Sequence, residues 1–333
     1  MMSFKKFFGR SGIYPEESFK LTGESIKSTC SINELKSELI KLEKKPIKEK
    51  IEDRMKKYEN EYNYQILPYE SFIIRLDGMS FSKFTKKFIK PFDINFIKAI
   101  ALTTRDLVEK FEAETGFTHS DEITLIFNAK CSKEDYNKFS ADNLDKSLIN
   151  IHLFDGQIQK LLTLISSYCS VRFNYHLEQI INNNINKYNS NLINLIKSHS
   201  QIFDAQILKF NEINNYEILN YQIWKSVHDC EKNAIFTYAH TFFGSKNIMN
   251  KNSQQMIQML KENNIDWKNI PLYIKYGIYC KKILVNKQID NNTVIRSEYI
   301  FKQFKINYSK ENLNMLLNKY WDNMEDNIYL DNL

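Results

Sequence analysis

The hydrophobic pattern is clearest in two short runs in the first half of the chain. Residues 71–76 are mainly apolar and end at Asp77, whereas residues 123–127 are rich in β-branched and aromatic residues and follow Asp121. Short apolar runs bounded by turn residues are typical of buried strands. The pattern therefore predicts two strands, with a carboxylate at the end of the first and another at the beginning of the second.

A helical pattern lies between the two predicted strands. Asp93 can cap its beginning, and Gly116 is placed to stop it. Its apolar positions recur at helical spacing, at Phe96, Ile97, Ile100, Ala101, Thr104, Leu107, Val108 and Phe111. The sequence thus predicts a strand, helix, strand unit. If the two strands lie side by side, Asp77 and Asp121 meet at one end of a sheet.

Two carboxylates at one sheet end suit Mg²⁺, which prefers carboxylate and carbonyl oxygens together with substrate phosphates. Gly78 would add a backbone carbonyl, because a residue without Cβ lets the backbone come close to an ion. Glu122 would reach a metal through water or orient its neighbour. The alternative that these residues bind no metal stays open, since Asp-Gly after a strand is often only a turn and Asp-Glu before a strand is often a solvated loop.

The remaining pattern begins with residues 1–52, a charged extension with helical character. The bounds of the main domain, 53–285, and of a small C-terminal cap or tail, 286–333, are implied by the family resemblance described below. Residues 174–200 are rich in Asn, Ile and Lys and are expected to be an insertion. Further elements follow from periodicity: helices at 157–177, 216–243 and 253–263, and strands at 203–210 and 273–285.

Composition narrows the class of protein. The chain has 333 residues with 46 basic and 40 acidic side chains, a net charge of +6 that favours a polyanion partner. No apolar stretch approaches the length of a membrane helix, so no membrane association is expected. Five dispersed cysteines indicate neither disulfides nor zinc but a reducing compartment. We expect a cytoplasmic protein, with a short mitochondrial address in the first fifteen residues as the alternative.

These residues resemble the tRNA(His) guanylyltransferase family over about residues 53–285. The resemblance depends on an ordered set of short motifs, none of them specific alone: Arg75-Leu76-Asp77-Gly78 with Phe81 and Phe84, Lys90-Pro91-Phe92-Asp93, Ser120-Asp121-Glu122, residues 154–160, Phe203-Asp204-Ala205, Trp224 with Asp229, Lys232 and Asn233, and Gly244-Ser245-Lys246.

Two departures from the family pattern are informative. Histidine-specific members typically carry a His-x-Asn-Asn signature, whereas this chain has Glu231-Lys232-Asn233-Ala234 at that place. The string is similar instead to the template-dependent 3′-to-5′ polymerase branch, the guanylyltransferase-like proteins. Gln157 stands where the family usually has Arg, so part of the expected binding to phosphate is weakened.

The resemblance implies an α+β fold, with a polymerase-palm-like antiparallel sheet and packed helices. It implies two Mg²⁺ ions held by Asp77, Gly78 and Asp121, with Glu122 also catalytic. ATP, GTP and other nucleoside triphosphates would be substrates, tRNA the partner, and a homotetramer the assembly. The residues implied to bind nucleotide are Lys90, Ser120, Gly156, Lys160, Lys232 and Asn233.

Four functions remain open from the sequence. The first is a template-dependent polymerase that adds nucleotides to tRNA 5′ ends in repair or editing. The second is a tRNA(His) guanylyltransferase that adds a single 5′ guanylate. The third is a nucleotide cyclase of palm fold, against which the segment from Trp224 to Asn233 argues. The fourth is a non-catalytic RNA-binding relative.

Overall fold

The computed structural model describes residues 49–141, 150–210, 216–289, 292–321 and 327–328. The chain divides into two compact units, residues 1–61 and residues 62–333. The described part of the first unit is helix α1 (Ile51–Asn60), which buries no side chain. The rest of the expected N-terminal extension, residues 1–48, lies outside the described residues.

The described part of the second unit is built on a seven-stranded antiparallel sheet with the order β4-β1-β3-β2-β5-β6-β7. The two strands predicted from the apolar runs are confirmed as β1 and β3, and they do lie side by side. The strands are β1 (Phe72–Gly78), β2 (Thr115–His119), β3 (Glu122–Phe127), β4 (Phe203–Lys209), β5 (Ile278–Ile289), β6 (Asn292–Lys302) and β7 (Asn327–Ile328).

Helices cover both faces of this sheet. Asp93 caps α3 as predicted, since its carboxylate accepts hydrogen bonds from the backbone N–H of Asn95 at 2.9 Å and of Phe96 at 3.2 Å. A π-helix, Trp224–Cys230, joins α7 to α8. The α-helices are α2 (Phe81–Thr85), α3 (Ile94–Phe111), α4 (Lys133–Ala141), α5 (Ile158–Asn182), α6 (Ser190–Lys197), α7 (Tyr216–Ile223), α8 (Glu231–Ile248), α9 (Ser253–Glu262), α10 (Leu272–Tyr276) and α11 (Lys310–Leu317).

The two faces of the sheet carry separate apolar cores, because successive strand residues point to opposite sides. Phe72 and Leu76 of β1 belong to a core with α3 and α5, which we call the first face. Ile73 of β1 and Ile126 of β3 belong to a core with α7 and α11, the second face. This arrangement confirms the expected α+β fold with helices packed on an antiparallel sheet.

Two local predictions were wrong. Gly116 does not stop α3, which ends at Phe111; it lies in β2. A Cβ at Gly116 would lie 2.5 Å from Val108 Cγ2, so close packing of the strand on α3 explains the glycine. The strand predicted at 273–285 begins only at Ile278, because residues up to Tyr276 form α10.

The expected insertion and tail are both part of this architecture. Residues 174–200 contain the end of α5 and all of α6, whose Leu192 and Ile196 are buried in the first-face core. Strand β5 runs through residue 285, and the segment after it adds β6 to the sheet and α11 to the second-face core. A biased composition has therefore not kept residues 174–200 from packing.

No helix in the described ranges has both the length and the apolar character to span a membrane.

Candidate functional site

Antiparallel pairing brings the end of β1 beside the beginning of β3. Asp77, the next-to-last residue of β1, stands opposite Glu122, the first residue of β3. Asp121 lies in the turn just before, and its carbonyl accepts a hydrogen bond from the backbone N–H of Gly78 at 3.2 Å. The structure therefore places both predicted aspartates at one end of the sheet.

A further carboxylate and a tight turn complete this sheet end. Asp204 of β4 stands opposite Asp77 on the other side, and directly opposed residues share a face of the sheet. Ser120 adopts the left-handed conformation with φ 57°, and its hydroxyl donates to Asp121 Oδ1 at 3.0 Å. The turn thus fixes the side chain of Asp121.

These residues open into a cleft of about 260 Å³ between the sheet end and the long helical segment formed by the π-helix and α8. Aromatic side chains form part of its wall, and acidic, basic and amide groups converge on the rest. The cleft is lined by Asp77, Phe92, Phe117, His119, Ser120, Asp121, Glu122, Lys225, Asp229, Cys230, Asn233, Phe236 and Thr237.

Lys225 is the buried cation of the cleft, with 5% of its surface exposed. Its Nζ donates to Glu122 Oε2 at 2.8 Å and to Asp229 Oδ2 at 2.7 Å. Burial alone would lower the pKa of Lys225, but the two carboxylates outweigh it and raise that pKa. Lys225 therefore stays charged and holds the π-helix to the beginning of β3.

Asp77 and Asp121 are less well compensated than Glu122. Burial raises the pKa of Asp77, with a contribution from the nearby Asp204 carboxylate that Arg75 and Lys225 only partly offset, and burial raises the pKa of Asp121, with a contribution from Asp77. Among the described residues, neither aspartate has an ion-pair partner. Burial also raises the pKa of Glu122 in spite of Lys225. Negative charge accumulates here that a bound cation would balance.

The donor set fits Mg²⁺. Within the described ranges no group of three or more His, Cys, Asp or Glu side chains has metal-binding geometry. Mg²⁺ is nevertheless often bound through one or two carboxylates, and its other ligands are waters and substrate phosphates. Glu122 Oε1 is buried without a hydrogen-bond partner, so an acceptor is left free beside the two aspartates.

His119 lines the cleft without offering a proton-transfer group. Its Nε2–H donates to the carbonyl of Ile274 at 2.9 Å. Burial lowers the pKa of His119 to about 4, so the ring is neutral near pH 7. His119 consequently forms a fixed wall between β2 and α10.

The predicted nucleotide-binding residues are divided between the cleft and its surroundings. Ser120 and Asn233 line the cleft, and the Asn233 amide donates to Asp229 Oδ1 at 3.3 Å. Lys90, Lys160 and Lys232 are exposed and lie outside the cleft lining. Burial of part of its side chain lowers the pKa of Lys90.

The glycines at two predicted site positions have structural reasons. A Cβ at Gly78 would lie 2.4 Å from the Phe81 ring, so the packing of α2 requires glycine there. Gly156 has φ 68°, its carbonyl accepts from the backbone N–H of Ile66 at 2.9 Å, and a Cβ would lie 2.1 Å from the Ile66 carbonyl oxygen. Both glycines are needed by the fold, whatever they contribute to ligands.

Sequence reasoning missed Lys225. One signal was available, since Lys225 precedes Asp229 by four positions and such pairs face each other on a helix. The contact of Lys225 with Glu122, far away in sequence, was not readable from the pattern.

Known proteins resemble this chain over most of its length. The model of the Thg1 family, tRNAHis guanylyltransferase, matches residues 52–211. An uncharacterized protein of Acanthamoeba polyphaga mimivirus is 46% identical over 277 residues, which are 83% of this chain and 92% of the viral protein. The tRNA(His) guanylyltransferase of Debaryomyces hansenii is 25% identical over 260 residues, 77% of this chain and 74% of the yeast protein.

A solved structure agrees in fold. A bacterial tRNA(His) guanylyltransferase (Thg1)-like protein in complex with ATP aligns with a TM-score of 0.54 at 24% identity, over 74% of this chain and 92% of that protein. On the family match and these relatives, the chain belongs to the tRNA(His) guanylyltransferase family, whose members are nucleotidyltransferases.

Proposed function

We propose that this protein is a template-dependent 3′-to-5′ nucleotidyltransferase that adds nucleotides to the 5′ end of tRNA in repair or editing. The observation that carries the chemistry is the pair Asp77 and Asp121, which line one cleft and form no ion pair among the described residues. Such a pair serves phosphoryl transfer, in which metal ions neutralise the charge that develops on phosphate oxygens.

In this proposal Asp77, the Gly78 carbonyl and Asp121 hold two Mg²⁺ ions, which supply charge neutralisation and alignment of phosphates. Glu122 is held by Lys225 at one oxygen and keeps the other free beside the aspartates. Because Glu122 has this second partner, we assign it an orienting role.

The substrates follow from the same proposal. An RNA 5′-monophosphate attacks the α-phosphate of ATP and releases pyrophosphate, which leaves the RNA end activated with AMP. The 3′-hydroxyl of the incoming nucleotide then attacks the RNA 5′ phosphate and displaces AMP, or displaces pyrophosphate where the RNA carries a 5′-triphosphate. ATP in the bacterial relative supports nucleotide binding. Lys90, Lys160 and Lys232 would reach phosphates only from the surroundings of the cleft, so their part stays a prediction, as does the homotetramer.

The choice of branch depends on Glu231, which stands at the position of the signature histidine. Its Oε1 accepts hydrogen bonds from Trp267 Nε1 at 3.3 Å and from the Tyr276 hydroxyl at 3.1 Å. The side chain is thus committed to packing between α8 and the elements that follow, and it is absent from the cleft lining. This favours selection of the nucleotide by base pairing over a dedicated reading of tRNA(His).

The test uses a tRNA that lacks its first 5′ nucleotide. The opposing base on the 3′ side of the acceptor stem is changed through all four identities, and one nucleotide is supplied at a time with Mg²⁺. We expect the incorporated base to follow the complement of the opposing base.

Other outcomes identify the alternatives. Guanylate added whatever stands opposite, and only to tRNA(His), would establish single-guanylate addition. Release of a cyclic nucleotide would establish a cyclase. RNA that is bound but never extended would establish a non-catalytic RNA-binding protein.

A further inference from the structure

A second concave surface lies on the opposite side of the end of β1 from the cleft. We call it the α2–β4 groove; it has a volume of about 210 Å³, and its lining combines apolar Phe81, Phe84 and Leu195 with Met79, Ser80, Lys83, Lys87, Ser200 and Gln201. The backbone N–H of Met79 donates to the carbonyl of Ile202 at 2.9 Å, which fixes the two walls to each other. Met79 follows Asp77 by two residues, so groove and cleft adjoin.

The rim of the groove is cationic. Lys83 lies in α2 and Lys87 in the turn that follows it; both are exposed and both line the groove. In the part of the chain that the structure describes, neither lysine has an ion-pair partner. Two unneutralised ammonium groups beside hydroxyl-bearing residues are suited to a phosphate group.

The wall of the groove contains an unpartnered acceptor. Gln201 is 6% exposed, its backbone carbonyl accepts from Asn174 Nδ2 at 2.7 Å, and its Nε2 donates to Ser200 Oγ at 3.3 Å. Its Oε1 is buried with no hydrogen-bond partner. Because a buried acceptor without a donor costs free energy, this side chain is set for a ligand that donates a hydrogen bond.

We propose that the α2–β4 groove binds one ribose-phosphate step of the RNA strand whose 5′ end enters the cleft. Lys83 and Lys87 contact the phosphate, and Gln201 Oε1 accepts from the 2′-hydroxyl, the group that distinguishes RNA from DNA. The inference deepens the proposed function, because it assigns the path of the RNA substrate at the same sheet end. The open, charged rim allows a continuing strand, which an isolated nucleotide does not need.

The experiment measures RNA binding by the full chain without any nucleotide, so that no addition occurs. A fluorescent acceptor-stem hairpin with a 5′-monophosphate is titrated over a series of KCl concentrations. Lys83→Gln and Lys87→Gln are each expected to lower the slope of log affinity against log salt by about 0.9 and to weaken binding by about tenfold near 0.1 M salt.

Lys86→Gln is the matched control, because Lys86 is exposed in the same segment and does not line the groove. We expect it to change affinity less than about twofold. An equal loss in Lys86→Gln would overturn the proposal in favour of diffuse attraction. A loss of ATP affinity in Lys83→Gln and Lys87→Gln, with unchanged RNA affinity, would overturn it in favour of a free-nucleotide site.

The acceptor is tested from the ligand side. Hairpins with single 2′-deoxy substitutions along the 5′ strand should show one position that weakens binding to the parent protein, and Gln201→Met should show no further loss at that position. No sensitive position in the parent would overturn the role of Gln201. RNA binding that depends on the two lysines, without any nucleotide addition, would support the groove and reject the proposed function. Templated addition together with unchanged RNA affinity in both lysine variants would support the proposed function and reject the groove.

Discussion

Two buried acidic regions of this protein have opposite electrostatics. At the sheet end, burial and neighbouring carboxylates raise the pKa of Asp77 and of Asp121. Between α3 and α5, Asp106 is also buried, yet hydrogen bonds from His176, Arg105 and Arg172 overcome the effect of burial and hold its pKa well below the ordinary value. The charged form of aspartate is therefore disfavoured at the sheet end and favoured at Asp106.

The partners explain the difference. Asp106 Oδ2 accepts from Arg172 Nε and from His176 Nε2, both at 2.6 Å, and its Oδ1 accepts from Arg105 Nη2 at 2.9 Å. No oxygen of Asp106 is left for a ligand. Asp121 Oδ1 accepts from the Ser120 hydroxyl, but Asp77 and Asp121 each have fewer partners than Asp106 and carry the cost of repulsion. We infer that Asp106 serves the fold, and that the sheet end gives up stability so that it can bind cations and phosphates.

The largest expected effect is at the sheet end. Asp77→Asn or Asp121→Asn should lower the rate of nucleotide addition by about 10³-fold or more, because each change removes a ligand that positions charge-neutralising metal. The midpoint of thermal unfolding should stay equal or rise, since a repulsive carboxylate is lost. Single-turnover addition and calorimetry measure the two effects.

Asp204→Asn is the control, because Asp204 flanks Asp77 without lining the cleft. Full activity in both Asp77→Asn and Asp121→Asn would refute the site.

Lys225→Gln should lower nucleotide addition by about 10- to 100-fold, the usual range for a group that orients the residues around a metal. The substitution leaves Glu122 buried without its cation and frees the π-helix from β3. Lys225→Arg, which keeps the charge, should recover part of the rate. An unchanged rate in Lys225→Gln would show that Glu122 needs no fixed partner.

Asp106→Asn should have the opposite effects, a loss of stability without a loss of activity. It should lower the free energy of unfolding by about 1 to 3 kcal/mol, a range reduced from that of fully buried pairs because Arg105 and Arg172 are partly exposed. Addition per folded molecule should be unchanged. Denaturant unfolding, followed by activity at matched folded concentration, measures both. A loss of activity without a loss of stability would contradict the division between the two regions.

The smallest effect is the pH dependence of this stability difference. The folded pKa of Asp106 lies below its ordinary value of 3.8, so its contribution is fully present above that value and is lost as the pH falls toward the folded pKa. The difference in unfolding free energy between the parent and Asp106→Asn should therefore shrink as the pH falls below about 4. A difference that grew with acidification below that pH would refute this assignment.

Elements whose signals are local in the sequence could be predicted, whereas features that depend on contacts between distant residues could not. Strands β1 and β3 were readable because burial of a short strand leaves a local apolar run, and α3 was readable because its cap and periodicity are also local. Strand β2 was missed, since Thr115–His119 is short and Gly116 looked like a helix stop. Its glycine is explained only by the approach of Val108 from α3.

By itself, the sequence determined which carboxylates stand at strand ends, because they are visible beside the apolar runs that bury those strands. Only the tertiary structure decided which charged groups form ion pairs. Lys225 meets Glu122 across the space between the π-helix and β3, whereas Asp77 and Asp121 form no ion pair among the described residues. The same structure placed Gln201 and Lys83 on one groove. Charge compensation depends on distances between elements remote in sequence, and those distances are set by the packing of helices on both faces of the sheet.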